Sequence, residues 1–376
     1  GYVPVSVREH RGKTAENEKK HPKLVLRGIQ RKMGARERLL FTIELSDLLA
    51  SGMTLGRALN CLAGRDTGKA GDRIISQLRD DIIQGSSLSS ALAKHPSTFS
   101  NLYVSMIRAG EAGGAIHDVL KRLVAHYERM QETKEKIIMA LVYPVIVLVM
   151  GVVTMVFAMV YVIPKFQVVF SQMNEALPLS TLILINTSRW LVRYGWIAGL
   201  TLAVLLLLAN RAVKTTRGRL WWHGFILRVP LIKGIVSAGL YAAFARTLGS
   251  LLANGVPVLD SLRIVEKTVG NSVVAAEIRN ARDRVTDGTT ISGPLAAGRI
   301  FPRIMTDMLA VGEQSGDVSG ALSHIARRYE NELEHSLKVF TTALEPILIV
   351  FVAAMVGFVA ISILMAVFNL TSGLGG

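Results

Sequence analysis

Two patterns of hydrophobic and polar positions alternate along the chain. In one, apolar residues run together without a charge; in the other, they return every three or four positions. The first pattern is clearest from Ile137 to Ile163, IIMALVYPVIVLVMGVVTMVFAMVYVI, bracketed by Lys136 and Lys165. A hydrocarbon core about 30 Å thick needs about 20 apolar residues of helix, so this stretch can cross with some tilt. A second such run leads from Pro346 to Leu370, and a third, Leu191–Ala209, is shorter and has Arg193 near its start. Three transmembrane helices are expected, over 137–163, 191–210 and 342–370.

The second pattern fills the space between. Phe41, Leu45, Leu48 and Leu49 share a helical face, and Gly52 is placed to end that helix. Thr54 is placed to cap the next, through Leu55, Ala58 and Leu59. Helical spacing continues over 71–84, 88–93 and 99–109. It resumes at Ala115 and passes through Ile116, Leu120, Leu123 and Tyr127 toward the first apolar run. The fold class is all-α.

The helical pattern occurs twice. Phe41, Leu45, Leu48, Leu49, Ala50 and Gly52 return as Phe244, Leu248, Leu251, Leu252, Ala253 and Gly255. Gly85, Leu88, Ser89 and Leu92 return as Gly288, Ile291, Ser292 and Leu295 at the same offset of 203. One residue is then lost. At an offset of 202, Gly110-Glu111, Gly114 and Tyr127-Glu128 return as Gly312-Glu313, Gly316 and Tyr329-Glu330. Pro144 in the first span matches Pro346 in the last, so each copy ends in a span. So many matches with a single gap mark a tandem duplication. A proline in the first turn of a helix costs little, whereas a helix starting further upstream would carry it inside as a kink.

Charge settles the expected topology. The net charge of +15 would suit nucleic acid, but its placement does not. Residues 1–38 hold 11 Lys+Arg against 4 Asp+Glu, and residues 211–233 hold 6 Lys+Arg and no acid. The second block follows an apolar run directly, as cytoplasmic flanks do, and no aromatic stacking surface is interleaved with the basic residues. Lys+Arg number 23 before the first run, 3 around the connection to the second and 17 before the third. Both repeats are thus expected in the cytoplasm, with 164–190 and the tail 371–376 outside. The unpaired middle span returns the chain between two parallel copies, unlike an inverted-repeat transporter. The expected organisation is a basic tail or linker (1–38), repeat 1 (39–136), and a basic segment with repeat 2 (211–341).

Chemistry is sparse. Gly64-Arg-Asp-Thr-Gly68-Lys69-Ala70 lacks the spacing and the Ser/Thr of a P-loop. No zinc-protease, C-x-x-C or serine-elbow motif occurs. His117, His126 and Asp80-Asp81 read as solvated helix faces, and the single cysteine, Cys61, as a small buried hydrophobe. The span interiors carry no Asp, Glu or Lys, which argues against an ion path. No catalytic, cofactor or metal set emerges. What remains is the doubled G-E-x-x-G, Gly110-Glu111 to Gly114 and Gly312-Glu313 to Gly316. Its glycines suit a tight helix–helix turn, and its glutamate the start of the following helix. A direct partner contact is the alternative for these six residues, and a metal role would lack a second ligand.

Taken with the repeat, these motifs resemble the F protein of type II secretion systems, an inner-membrane platform superfamily shared with type IV pilus assembly. The resemblance lies in AGEAGGAI and VGEQSGDV, in Tyr143-Pro144 and Glu345-Pro346 leading into spans one and three, and in SGMTLGRAL and NGVPVLDSL. NEALPLST and WHGFILRVPLIKG also match, and favour secretion over pilus assembly. Ala112-Gly113 departs from the pattern, since Ser is common beside the second glycine. The resemblance implies about six helices per cytoplasmic bundle and a further segment ahead of Gly1. It implies a multi-pass protein of the bacterial inner membrane, forming a homo-oligomer, without enzymatic activity or cofactors. The implied partners are a cytoplasmic secretion ATPase, bitopic inner-membrane components, the major pseudopilin and membrane lipid.

Overall fold

The computed structural model describes residues 33–65, 70–165, 179–213, 215–286 and 290–373, and every regular element among them is helical. The first repeat comprises α1 (Ala35–Ala50), α2 (Leu55–Ala63), α3 (Ala70–Ile83), α4 (Leu88–Ala93), α5 (Asn101–Ala112) and the start of α6 (Ile116–Phe157). Then come α7 (Leu179–Val213) and α8 (Thr216–Ile226). The second repeat holds α9 (Pro230–Ala253), α10 (Val258–Thr268), α11 (Ser272–Thr286), α12 (Ser292–Ala297) and α13 (Arg303–Ser315), and ends in α14 (Val318–Gly373). In each copy successive helices pack side by side, and the last also packs against the first, closing a six-helix unit.

Corresponding residues make corresponding contacts. Phe41 meets Phe99 with ring centroids 5.9 Å apart, and Phe244 meets Phe301 at 4.8 Å. Leu45 and Leu248 are both buried, each contributing about 1.5–3 kcal/mol of transfer free energy. The copies also keep a role while changing the residue. The Arg38 guanidinium donates to the Thr98 carbonyl at 2.7 Å and lies 4.5 Å from the Tyr127 ring centroid. At the matching position Tyr241 donates to the Ile300 carbonyl at 2.6 Å and packs edge-on against Tyr329 at 5.2 Å. A long polar side chain thus ties the first helix to the loop before the fifth and to the ring on the sixth. The two units are not separate globules, because one continuous cluster of buried side chains runs through both.

The apolar runs extend these units. α6 passes from the core through Pro144, and α14 passes through Pro346, so both prolines are interior to helices beginning at Ile116 and Val318. The two helices touch within the apolar runs at Gly151, where a Cβ would lie 2.9 Å from Val352 Cγ2. Beyond α6 the helix continues through a π turn at Ala158–Val162. The Ser188 hydroxyl of α7 donates to the Met159 carbonyl in that turn. Such a partner matters where no water satisfies a carbonyl displaced from the regular ladder. Among the described residues four helices are long and apolar enough to cross a membrane, and α9 is the one not expected. Its apolar stretch is 44% buried, against 17%, 0% and 11% for those of α6, α7 and α14, because α9 packs within the second unit.

Several expectations change. α1 starts at Ala35 with Met33 already buried, so Arg38 belongs to the core and not to the linker. Residues 1–32, most of that linker, lie outside the described residues, as do 66–69 in the P-loop-like stretch, 166–178 in the connection between the first two apolar runs, 287–289 with the repeat position Gly288, and 374–376. α7 begins at Leu179, so the segment joining the first two spans is helical well before 191. Gly52 ends α1 with φ +86°, and Met53 N–H donates to the Leu48 carbonyl at 3.2 Å. Thr54, however, makes no side-chain cap. Cys61 is exposed, since the core-facing positions of α2 are Ala58, Leu59 and Leu62. His126 is buried, being on the face of α6 that the second unit covers. Asp81 is less solvated than expected, because it pairs with Lys94 at 2.6 Å.

Candidate functional site

The doubled signature builds the same joint twice. Glu111 sits near the end of α5 and turns back to the start of α4. Its carboxylate accepts from the Leu88 N–H and, at 3.1 Å, from the Ser89 N–H. Glu313 on α13 accepts from the Ile291 N–H at 2.5 Å, from the Ser292 N–H at 3.3 Å and from the Ser292 hydroxyl. The sequence expectation placed each glutamate at the following helix; the fold assigns it to the preceding short one. A six-residue helix has almost no internal amide ladder, so an anion at its positive end matters more than at a long helix.

The glycines divide their work. Gly110 and Gly312 are the close-approach positions. A Cβ on Gly110 would lie 2.8 Å from Val119 Cγ2, and one on Gly312 would lie 2.4 Å from Ala321 Cβ and 3.1 Å from the Asp317 carbonyl oxygen. Gly114 and Gly316 take the left-handed turn, with φ +68° and +76°. Ala115 N–H then donates to the Gly110 carbonyl at 2.8 Å, closing the helix end. The three signature positions in each copy thus lock α4, α5 and α6, or α12, α13 and α14, into one corner. Tyr143, Pro144, Glu345 and Pro346 are not brought to these corners. They lie well along α6 and α14, with Tyr143 and Glu345 exposed and Pro144 buried.

A second arrangement, illegible in sequence, lies along the seam between the units. Arg122 donates to the Ala253 carbonyl at the end of α9 at 2.5 Å, a cation placed at a helix C-terminus. Lys136 of α6 meets Glu334 of α14 at 2.5 Å, beside the first apolar run. Arg246 of α9 donates to Glu330 of α14 at 2.5 Å within the second unit, facing the same cleft. Lys136, Glu334, Arg246, Glu330, Arg129 and Arg327 line a cleft of 320 Å³ there. His126 is buried nearby, and its Nδ1 has no hydrogen-bond partner. Burial, reinforced by the Arg246 and Arg38 charges, pushes its pKa down to about 4. Among the described residues, no three His, Cys, Asp or Glu side chains converge as a metal site. The seam has no repeat partner to announce it, because it joins one copy to the other.

The family profile of type II secretion system protein F matches twice, over residues 41–164 and 244–366. The matches start at Phe41 and Phe244, the pair that opens the repeat, and each includes its corner and its span. The type II secretion system protein F of Xanthomonas campestris is 33% identical over 376 residues, all of this chain and 91% of the relative. The type IV pilus assembly protein PilC of Thermus thermophilus is 33% identical, covering 91% of this chain and 84% of the relative. PilC of Myxococcus xanthus is 31% identical, over 89% and 81%. With both halves matched and relatives above 30% identity along most of its length, this chain belongs to the type II secretion system protein F family of membrane platform proteins.

Proposed function

We propose that this protein is the inner-membrane platform of a type II secretion system. It carries the motion of a cytoplasmic secretion ATPase into the bilayer, where the major pseudopilin is drawn into a growing pseudopilus. The observation behind this reading is the continuity of α6 and α14. Each helix starts inside a unit, buries Leu120 and Leu123 or Leu322 and Ile325, and continues without a loop into an apolar run. At 1.5 Å per residue these rods are about 60 and 80 Å long. A unit locked at its corner cannot tilt without moving its rod. Both units lie on the cytoplasmic side and 371–376 in the periplasm, on the distribution of Lys and Arg. The corners of Gly110, Glu111, Gly114, Gly312, Glu313 and Gly316 keep the units stiff. Bitopic inner-membrane components and further copies of this chain contact the remaining surface. ATP is hydrolysed by the partner and not by this chain.

The test inserts a flexible Gly/Ser segment between Glu135 and Lys136. Secretion should be lost while the ATPase still copurifies; full secretion by this variant overturns the lever. Copurification unchanged after deletion of residues 1–136 counts against the ATPase contact. A periplasm-only reporter should be active after Gly376 and silent near Arg217. The PilC relatives support a second reading, the platform of type IV pilus biogenesis. Complementation of secretion-null and pilus-null strains separates the two.

A further inference from the structure

The short helix α8 is the feature that the lever does not use. It follows α7 through a tight elbow. Thr215 N–H and its hydroxyl both donate to the Ala212 carbonyl, at 3.0 and 2.7 Å, and the hydroxyl oxygen accepts from Gly218 N–H at 3.2 Å. A Cβ on Gly218 would lie 2.1 Å from the Ala212 carbonyl oxygen, so only glycine allows this bend. The helix is also fixed in roll, because His223 Nδ1 accepts from the Ser272 N–H at the start of α11 at 3.0 Å. That contact turns Trp221, Trp222 and Phe225 outward, 68%, 39% and 47% exposed. The rings form one surface, with Trp221 stacked on Phe225 at 5.5 Å and Trp222 at 6.1 Å. In sequence it is flanked by Arg211, Arg219, Arg228 and Lys233, all exposed. Residues 211–233 contain no acid to balance them.

We infer that α8 lies in the membrane interface. Its aromatic face sits at the boundary between headgroups and acyl chains, and the basic side chains rest on anionic phospholipid headgroups. Position favours lipid over a protein partner. The lipid-facing leucines Leu205 to Leu208 end a few residues before the elbow, so α8 emerges at the depth of the bilayer surface. Exposed Trp and Phe beside exposed Arg and Lys are the composition such a surface binds. Through His223 and Ser272, α8 then sets the height of the second unit above the membrane. This inference rests on α7 crossing the bilayer and is independent of the ATPase contact.

The test uses the full chain in liposomes. The four tryptophans are Trp190, Trp196, Trp221 and Trp222, so Trp190→Phe with Trp196→Phe leaves only the α8 pair as reporters. Lipids brominated near the glycerol end should quench at least about twofold more than lipids brominated near the methyl end. Replacing phosphatidylcholine by phosphatidylglycerol should increase that quenching. Arg219→Glu, Arg228→Glu and Lys233→Glu together should abolish the increase. Iodide access equal in liposomes and detergent, or equal quenching from both bromine depths, overturns the inference. If the tryptophan variant does not fold, an environment-sensitive dye on Phe225→Cys in a Cys61→Ser background reads the same depth.

Discussion

Glu111 provides the sharpest prediction, because its two readings, internal lock and partner contact, lead to opposite results. Glu111→Ala removes the acceptor of the Leu88 and Ser89 amides at a part-buried helix start. Hydrogen bonds to a charged group contribute about 1.5–3 kcal/mol each, and solvent entering the half-open corner recovers part of this. A loss of about 2–4 kcal/mol is expected, a large share of a typical 5–15 kcal/mol total. Glu111→Gln keeps an acceptor oxygen without the charge and should lose about half as much. Hydrogen exchange followed by mass spectrometry reads this locally. Peptides covering 86–93 should exchange about 30-fold to several-hundred-fold faster, since each 1.4 kcal/mol is a factor of ten. Glu313→Ala should act on 290–297 with a larger effect, because it also strands the Ser292 hydroxyl. Unchanged protection at 86–93 together with lost function would refute the lock and assign Glu111 to a partner.

Gly312→Ala should destabilise by about 1–3 kcal/mol in a thermal melt and more than Gly110→Ala. The added methyl meets the Asp317 carbonyl oxygen as well as Ala321, whereas on Gly110 it meets mainly the movable Val119 side chain. His126 should make the protein acid-sensitive. Its folded pKa of about 4 lies below the 6.5 of an unperturbed histidine, so the unfolded chain binds the extra proton first. Stability is therefore full above about pH 6.5 and falls as pH drops toward about 4, by at most about 3 kcal/mol. His126→Leu should flatten the melting temperature across that window, and an unchanged slope would reject the assignment. Ser188→Ala should cost about 1 kcal/mol in detergent unfolding, by removing the donor to the Met159 carbonyl; no loss would mean that the π turn satisfies itself.

Much of the architecture is written in local periodicity. Apolar runs at 137–163, 191–209 and 346–370, charged only at Arg193, report membrane-length helices, because bilayer thickness imposes a length that composition alone reveals. The offsets of 203 and 202 expose the duplication without any structure, since both copies must fill the same kind of core. Gly52 and Gly114 are likewise legible, as only glycine takes a left-handed helix end without strain. The tertiary structure decided what sequence spacing does not encode. Glu111 caps α4 and not α6 because the hairpin folds back, bringing residues 22 and 23 positions apart into contact. Arg38 and Tyr241 share a role despite different chemistry, since only the distance to a carbonyl and a ring matters. His126 lies on a helix face that reads as solvated until the second unit packs against it, and Lys136 finds its partner, Glu334, on that unit. That packing joins residues nearly two hundred positions apart, and no periodicity within one copy carries information about it.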